Sequence, residues 1–125
     1  MTSGDQDNCA FDTGQNSTCV QPSISELNDR LRRDWVGGRV AMSAGVEQLG
    51  LDAVIEIFEA VNEFEAFTPD NDPYGEHDFG VIKVGSERII WKIDYYDTAL
   101  ESGSPDPSNP AVTTRVLTVM LASEY

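Results

Sequence analysis

Basic residues are scarce in this sequence. Its 125 residues include 22 Asp and Glu but only 8 Lys and Arg, which gives a formal net charge of -14. This deficit of cations excludes a protein that holds nucleic acid through its own basic surface, and it argues against docking to an anionic membrane. Long apolar runs are also missing, so we expect no membrane-spanning segment. With 40% apolar residues, the composition predicts a modest globular core.

Cysteine is rare too, and both cysteines fall in one polar segment. Cys9 and Cys19 lie within residues 1–22, which contain three Asp and no Lys or Arg. Two cysteines without accompanying histidines do not provide the ligands of a zinc site. The first residues also lack the basic and apolar regions of a secretory signal. We therefore expect a flexible tail with free thiols in a cytoplasmic protein without a cofactor. A disulfide between the two remains the alternative in an oxidising compartment.

Residues 23–125 have the pattern of a single α+β domain. In chain order the sequence predicts a helix over about 24–34, a strand over 39–43, a helix over about 51–66, a hairpin with strands 79–84 and 87–96, and a last element over 112–122. The last element fits a helix or a strand, and its β-branched residues favour a strand. The expected fold is a small antiparallel sheet, formed by hairpin 79–96 and the C-terminal strand, packed by two helices.

Local signals support these elements. Ser23 and Glu26 have the spacing of a capping box at the start of the first helix, and Gly85-Ser86 suits a two-residue type II′ turn. In the second helix, the apolar residues expected to face the core are Leu51, Val54, Ile55, Phe58 and Val61.

The negative charge is concentrated in residues 51–80, which hold nine acids and no Lys or Arg. Four of these acids are spaced by four, three and four residues along the second helix, so they form one stripe about 16 Å long. Such a row can attract the basic groove of a nucleic-acid-binding protein. The predicted partner-binding residues are Asp52, Glu56, Glu59, Glu63, Asp70, Asp72, Tyr74, Glu76 and Asp78. A solvated face that only keeps the protein soluble is the simpler interpretation.

The single histidine suggests an alternative, catalytic site. If the hairpin ladder extends beyond Phe79, His77 lies opposite Asp94, and a histidine held by a carboxylate is the arrangement of a general base. Glu76 would be a third member of this site. No nucleophile accompanies these residues, so a structural hydrogen bond is the simpler interpretation.

The same loop also offers a candidate cation site. It begins like a calcium loop at Asp70, but position twelve is Val81 rather than the required glutamate. A looser hard-cation cluster would use Asp70, Asp72, Glu76, His77 and Asp78. Turn formation explains Asp70 and the adjacent Asn and Pro equally well.

Five segments of the sequence resemble an uncharacterised family of small bacterial proteins, classified only as a domain of unknown function. They are Leu27-Asn-Asp-Arg-Leu-Arg, Gly38-Arg-Val, Asp70-Asn-Asp-Pro-Tyr-Gly-Glu-His-Asp-Phe-Gly80, Trp91-Lys-Ile-Asp-Tyr-Tyr-Asp97 and Thr114-Arg-Val-Leu-Thr-Val-Met-Leu-Ala122. The resemblance covers about residues 26–125. It implies a setting on plasmids and other mobile elements, which often carry small acidic proteins that block host restriction or CRISPR nucleases.

Two functions are consistent with these observations. The first is an acidic, non-catalytic binding protein that mimics nucleic acid toward the basic groove of a host complex, as an anti-CRISPR or anti-restriction inhibitor does. The alternative is a small hydrolytic or nucleotide-directed enzyme, with or without a metal ion, centred on His77 and Asp94. The sequence favours the first, because the second lacks a nucleophile.

Overall fold

The computed structural model describes residues 22–125. The elements in chain order are α1 (Ile24–Asp34), β1 (Gly38–Met42), α2 (Ala44–Glu47), α3 (Leu51–Glu63), β2 (Phe79–Val84), β3 (Glu87–Tyr96), a 3-10 turn (Pro110–Val112), β4 (Thr114–Leu121) and a second 3-10 turn (Ala122–Glu124). Cys9, Cys19 and nearly all of the predicted tail lie outside the described residues. Within residues 22–125, no helix has the length and apolarity needed to cross a membrane.

The four strands form one sheet in the order β1-β4-β3-β2. β2, β3 and β4 pair antiparallel, in the register expected for the hairpin, with Phe79 opposite Lys92 and Val84 opposite Glu87. β1 joins the edge of β4 in parallel. The α+β class is therefore confirmed, and the sheet is mixed rather than wholly antiparallel. The short α2 is a third helix that the sequence pattern did not predict.

The last predicted element is a strand, as expected, and the helical alternative for it is wrong. Residues Thr114–Leu121 pair with both β1 and β3, whereas the helix-like signal at Asn109-Pro110 forms only a single 3-10 turn. The Asn109 side chain caps that turn by accepting the N–H of Ala111. The β-branched run then continues as a central strand, because both of its edges find partners.

The sheet has one face covered by helices and one open face. The covered face carries the buried side chains of Ile89, Trp91, Ile93, Leu117 and Val119, which pack with Leu31, Val46, Ile57 and Val61 of the three helices. Alternate residues point the other way. By the strand register, the open face consists of Arg39, Ala41, Phe79, Val81, Lys83, Arg88, Ile90, Lys92, Asp94, Tyr96, Thr114, Val116, Thr118 and Met120.

The buried side of α3 differs from the expectation. Ile57 and Val61 are fully buried, whereas Leu51 is 73% and Ile55 is 48% exposed. The apolar residues of α3 span more than one face of the helix, and only the side centred on Ile57 and Val61 meets the sheet. The helix also ends at Glu63 rather than near residue 66, because Phe64 has an extended backbone. Two apolar side chains of α3 are thus left in solvent.

Two glycines are required by the hairpin geometry. Gly85 has φ of +61°, which fits the first central position of the predicted type II′ turn. A Cβ at Gly80 would lie only 2.3 Å from Trp91 Nε1 and 2.9 Å from Phe64 Cζ. Glycine at position 80 therefore allows the large Trp91 side chain to fill the centre of the core.

Candidate functional site

The acidic stripe of α3 lies on the outer side of the molecule. Its four members, Asp52, Glu56, Glu59 and Glu63, are all exposed. Because α3 buries Ile57 and Val61 against the sheet, these carboxylates point away from it. The helix has no basic residue in its last turn, so none of the repulsion along the stripe is relieved from within the helix.

An open apolar groove of about 450 Å³ runs beside this stripe. Trp35 meets Phe58 edge-on, with their ring centroids 5.7 Å apart. Trp35 follows α1 in a left-handed conformation with φ of +58°, and the residue is 43% exposed. The groove is lined by Trp35, Val54, Ile55, Phe58, Glu59, Asn62 and Glu63. Acidic and apolar groups thus share one accessible surface.

The other predicted partner-binding residues divide into accessible and inaccessible ones. Tyr74 is 85% exposed and Asp70 is also exposed. Asp72, by contrast, is buried, and its carboxylate accepts the backbone N–H groups of Glu76 and His77. Glu76 and Asp78 are half-buried. Asp72 therefore shapes the loop, whereas the α3 stripe, Asp70 and Tyr74 remain open to a partner.

His77 lies between two carboxylates. Its Nδ1 is 3.1 Å from both carboxylate oxygens of Asp29 in α1, and its Nε2 is 3.8 Å from Asp72 Oδ2. The ring also stacks on Phe67, with centroids 4.0 Å apart and planes 2° apart. The hydrogen bond from Nδ1 to Asp29 anchors the loop to α1, whereas Nε2, at 3.8 Å from Asp72, lies beyond hydrogen-bond distance.

The predicted contact between His77 and Asp94 is wrong. The hairpin ladder ends at Phe79, although the Asp78 carbonyl still accepts the N–H of Ile93. At His77, φ is +58°, because the chain turns to bring its N–H to Asp72. His77 therefore leaves the path of the strand and reaches Asp29, while Asp94 pairs with Lys92 two residues away on its own strand.

The alternative cation cluster of Asp70, Asp72, Glu76, His77 and Asp78 is not assembled. Among residues 22–125, no group of three or more His, Cys, Asp or Glu side chains is placed to hold a metal ion. The physical reason lies in Asp72, whose oxygens are occupied by backbone N–H groups, and in His77, which is directed to Asp29. The loop 70–78 is thus stabilised by its own hydrogen bonds.

Arg32 joins α1 to the end of α3 and is fully buried. Its Nη1 donates to the carbonyls of Val61 and Phe64 at 3.0 and 2.7 Å, and its Nη2 donates to Asp29 Oδ1 at 2.8 Å. The last carbonyls of a helix lack partners within the helix, so Arg32 caps α3 while orienting the carboxylate that holds His77. Neither Arg32 nor Asp29 has a role that was predicted from the sequence.

A second buried polar cluster surrounds Asn28, which is also fully buried. Its Nδ2 donates to the Glu76 carbonyl and to Tyr95 Oη, while its Oδ1 accepts from Arg115 Nε at 2.8 Å. Tyr95 Oη–H donates to Glu76 Oε1. Burial lowers the pKa of Arg115 and raises the pKa of Tyr95. The sequence does contain one indication of this burial. Asn28 and Arg32 have helical spacing and directly follow Leu27 and Leu31, so they lie next to the buried face of α1.

Asp78 is expected to make stability depend on pH. Burial, and then the nearby Glu76, raises the pKa of its carboxyl above the ordinary 3.8. The folded state therefore binds this proton more tightly than the unfolded chain does, and stability falls as pH rises from about 3.8 through the folded pKa. We expect Asp78→Asn to be more stable than the wild type at pH 7, with the difference disappearing in acid, as measured by urea denaturation from pH 3 to 7.

Glu124 provides a control of opposite sign. Hydrogen bonds from Ser43 Oγ and the Leu121 N–H lower the pKa of its carboxyl below 4.5. Its stabilising contribution is present above pH 4.5 and is lost as pH falls through the lower folded pKa. Glu124→Gln should therefore be less stable than the wild type at pH 7. An Asp78→Asn variant that is less stable than the wild type at neutral pH would contradict the assignment for Asp78.

The described elements define a small α+β protein with a half-covered mixed sheet and an exposed acidic helix. The chain belongs to the family described as "Protein of unknown function (DUF3768)", whose model matches residues 42–124. The match begins at Met42, so α1 and the Leu27–Arg32 motif lie outside it. No curated protein and no solved structure matches the chain.

Proposed function

We propose that this protein is a non-catalytic binding protein that uses the outer surface of α3 to occupy a basic groove on a nucleic-acid-binding partner. The observation that carries the proposal is the exposed row of Asp52, Glu56, Glu59 and Glu63 beside an apolar groove. In its specific form, the partner is a host defence complex in the bacterial cytoplasm, and the protein is an anti-CRISPR or anti-restriction inhibitor carried by a mobile element. It mimics nucleic acid and binds none directly.

The position of the acids in α3 supports a role in binding. Carboxylates near the C-terminus of a helix are unfavourable, because that end carries the negative pole of the helix dipole. Glu63 is the last residue of α3 and Glu59 lies one turn earlier. Neighbouring carboxylates three and four residues apart also repel each other. Folding alone would favour lysine at these positions, so the acids are better explained by a partner.

The groove supports the same interpretation. Exposed Trp35 and Ile55 offer apolar contacts next to Glu59 and Glu63. Aromatic anchors surrounded by polar groups are typical of protein interfaces. A partner that pairs cations with the stripe and inserts an apolar side chain beside Trp35 would use both features. The enzyme alternative has weaker support, since its two expected members do not meet: His77 contacts Asp29, and Asp94 pairs with Lys92.

The test is affinity capture from a bacterial lysate with two matched variants. Glu56→Lys/Glu59→Lys reverses the centre of the stripe, and it creates lysine–carboxylate pairs with Asp52 and Glu63 that stabilise the helix by about 0.3 kcal/mol each. Glu47→Lys/Glu101→Lys changes the net charge equally at two exposed positions outside α3. We expect the stripe variant to retain at least tenfold less partner than the wild type, and the control to retain the wild-type amount.

Binding to nucleic-acid-processing complexes that survives stripe reversal would overturn the proposal, as would equal losses in the two variants. A Trp35→Ala variant separates the apolar contribution from the charge. Its loss of binding should persist at high salt, whereas the effect of the stripe should weaken as salt screens the charges.

A further inference from the structure

The few cations of this acidic protein are concentrated on the open face of the sheet. Of the eight Lys and Arg residues, Arg32 and Arg115 are buried, and four others lie on this face. The four are Arg39, Lys83, Arg88 and Lys92. Asp94 is the single acid on the same face, where it pairs with Lys92. The acidic stripe and a basic surface therefore lie on opposite sides of the molecule.

Lys83 and Arg88 are the most unusual members of this basic surface. They are directly opposite each other in the hairpin, and both are exposed. Like charges at directly opposed positions of two strands are destabilising. Within residues 22–125, neither side chain has a carboxylate within 4 Å, although the protein has a large excess of acids. This uncompensated pair is therefore available to an anionic partner.

The residues between the cations indicate what kind of partner fits. At the centre of the face, Ile90 is buried at 7% exposure, Val116 and Met120 are half-buried, and Val81 beside them is 40% exposed. The aromatic side chains of this face, Phe79 and Tyr96, are half-buried and lie outside the aliphatic centre, so the centre itself gives nucleic-acid bases no aromatic surface on which to stack. The combination of an aliphatic centre and surrounding cations fits a helix that has apolar residues on one side and carboxylates beside them. Such a helix would cover the face that the three helices of the fold leave open.

The helix with this chemistry is present in the same chain. The exposed side of α3 carries Leu51 and Ile55 next to the acidic stripe. Its 13 residues span about 20 Å, and four strands spaced by about 4.8 Å give a sheet of comparable width. We propose that the open sheet face binds α3 of a second copy of this protein, with the stripe placed against Lys83, Arg88, Lys92 and Arg39.

This association is head-to-tail. The two surfaces lie on opposite sides of one molecule, so each copy has one free surface left after pairing and further copies add to the ends. At physiological ionic strength charges are screened over about 8 Å, which limits the repulsion between acids far from the contact. The inference uses the same stripe as the proposed function, so self-association and partner binding compete for it.

Sedimentation velocity of the full chain, from micromolar to millimolar concentration in 0.15 M salt, is the test. We expect a weighted mass above the 13.7 kDa monomer that grows with concentration. Lys83→Glu/Arg88→Glu should remain monomeric, and so should Glu56→Lys/Glu59→Lys. A mixture of these two variants should associate again, because the sheet face of the stripe variant still binds the α3 of the sheet variant and the two reversed surfaces are complementary to each other. Arg30→Glu/Arg33→Glu is the charge-matched control and should associate like the wild type.

Any one of three results would overturn the inference: the wild type stays monomeric, the sheet variant still associates, or the mixture of the two variants does not combine. Binding of a labelled single-stranded oligonucleotide to monomeric wild type, lost in the sheet variant, would assign the face to nucleic acid instead. The proposed function is judged separately, since the sheet variant should still capture the lysate partner through its intact stripe. Circular dichroism checks that the sheet variant is folded. Lys83→Gln/Arg88→Gln removes the same two charges without adding carboxylates, and it should also remain monomeric.

Discussion

Replacing Arg32 with alanine is expected to lower the free energy of unfolding by about 4 kcal/mol, because breaking a buried ion pair from one side leaves an uncompensated partner. The change removes the donor to the carbonyls of Val61 and Phe64 and the cation that pairs with Asp29. It also removes a guanidinium that packs 5.4 Å from the ring centroid of Phe67. Urea denaturation followed by tryptophan fluorescence measures the loss.

The neighbouring arginine is the matched control. Arg33 is exposed and pairs with the exposed carboxylate of Glu65, so Arg33→Ala should cost about 0–1 kcal/mol. Arg32→Lys keeps the charge but loses the planar fork that reaches several acceptors, and it should fall between the two alanine variants. If Arg32→Ala destabilises no more than Arg33→Ala, Arg32 does not stabilise the junction of α1 and α3.

Replacing Asn28 with alanine is expected to cost about 3 kcal/mol, because it leaves buried donors and acceptors without partners. The Asn28 side chain contacts the Glu76 carbonyl, Tyr95 Oη and Arg115 Nε, and it is fully buried. Removal of its Oδ1 leaves the Arg115 Nε–H unpaired. The stability loss is measured by urea denaturation at pH 7.

A double-mutant cycle with Arg115→Met isolates the interaction between Asn28 and Arg115. Contacting residues in one network typically couple by about 0.5–3 kcal/mol, and we expect a value in this range. Asn71→Ala is the control, since that amide bonds within its own loop to Thr68 and Ala66 and should cost about 1 kcal/mol. If the losses of stability from Asn28→Ala and Arg115→Met simply add in the double variant, the two side chains do not stabilise each other.

Most of the secondary structure could be predicted from local patterns. The capping box of Ser23 and Glu26 placed the first residue of α1, and the Gly85-Ser86 turn set the hairpin register to the residue. These signals involve residues near in sequence, whose geometry is decided by few torsion angles. The parallel pairing of β1 with β4 was not predicted, because it joins residues about 77 apart and leaves no local pattern.

The buried side of α3 and the partner of His77 illustrate what the local pattern leaves undecided. Leu51 and Ile55 fit an apolar periodicity as well as Ile57 does, and only the position of the sheet selects which side is buried. Extending the ladder to His77 was reasonable from the strand period. The carboxylate of Asp72 prevented it by capturing two backbone N–H groups and turning the chain toward Asp29.

The sequence by itself determined the net charge, the acidic stripe, the α+β class and the hairpin, since these depend on composition and on periodicities within single elements. Only the tertiary structure decided that Asn28, Arg32 and Arg115 are buried as connectors, that Asp29 holds His77, and that four cations gather on one sheet face. These features join residues far apart in the chain. Which of them meet is set by the packing of α1 and α3 on the sheet.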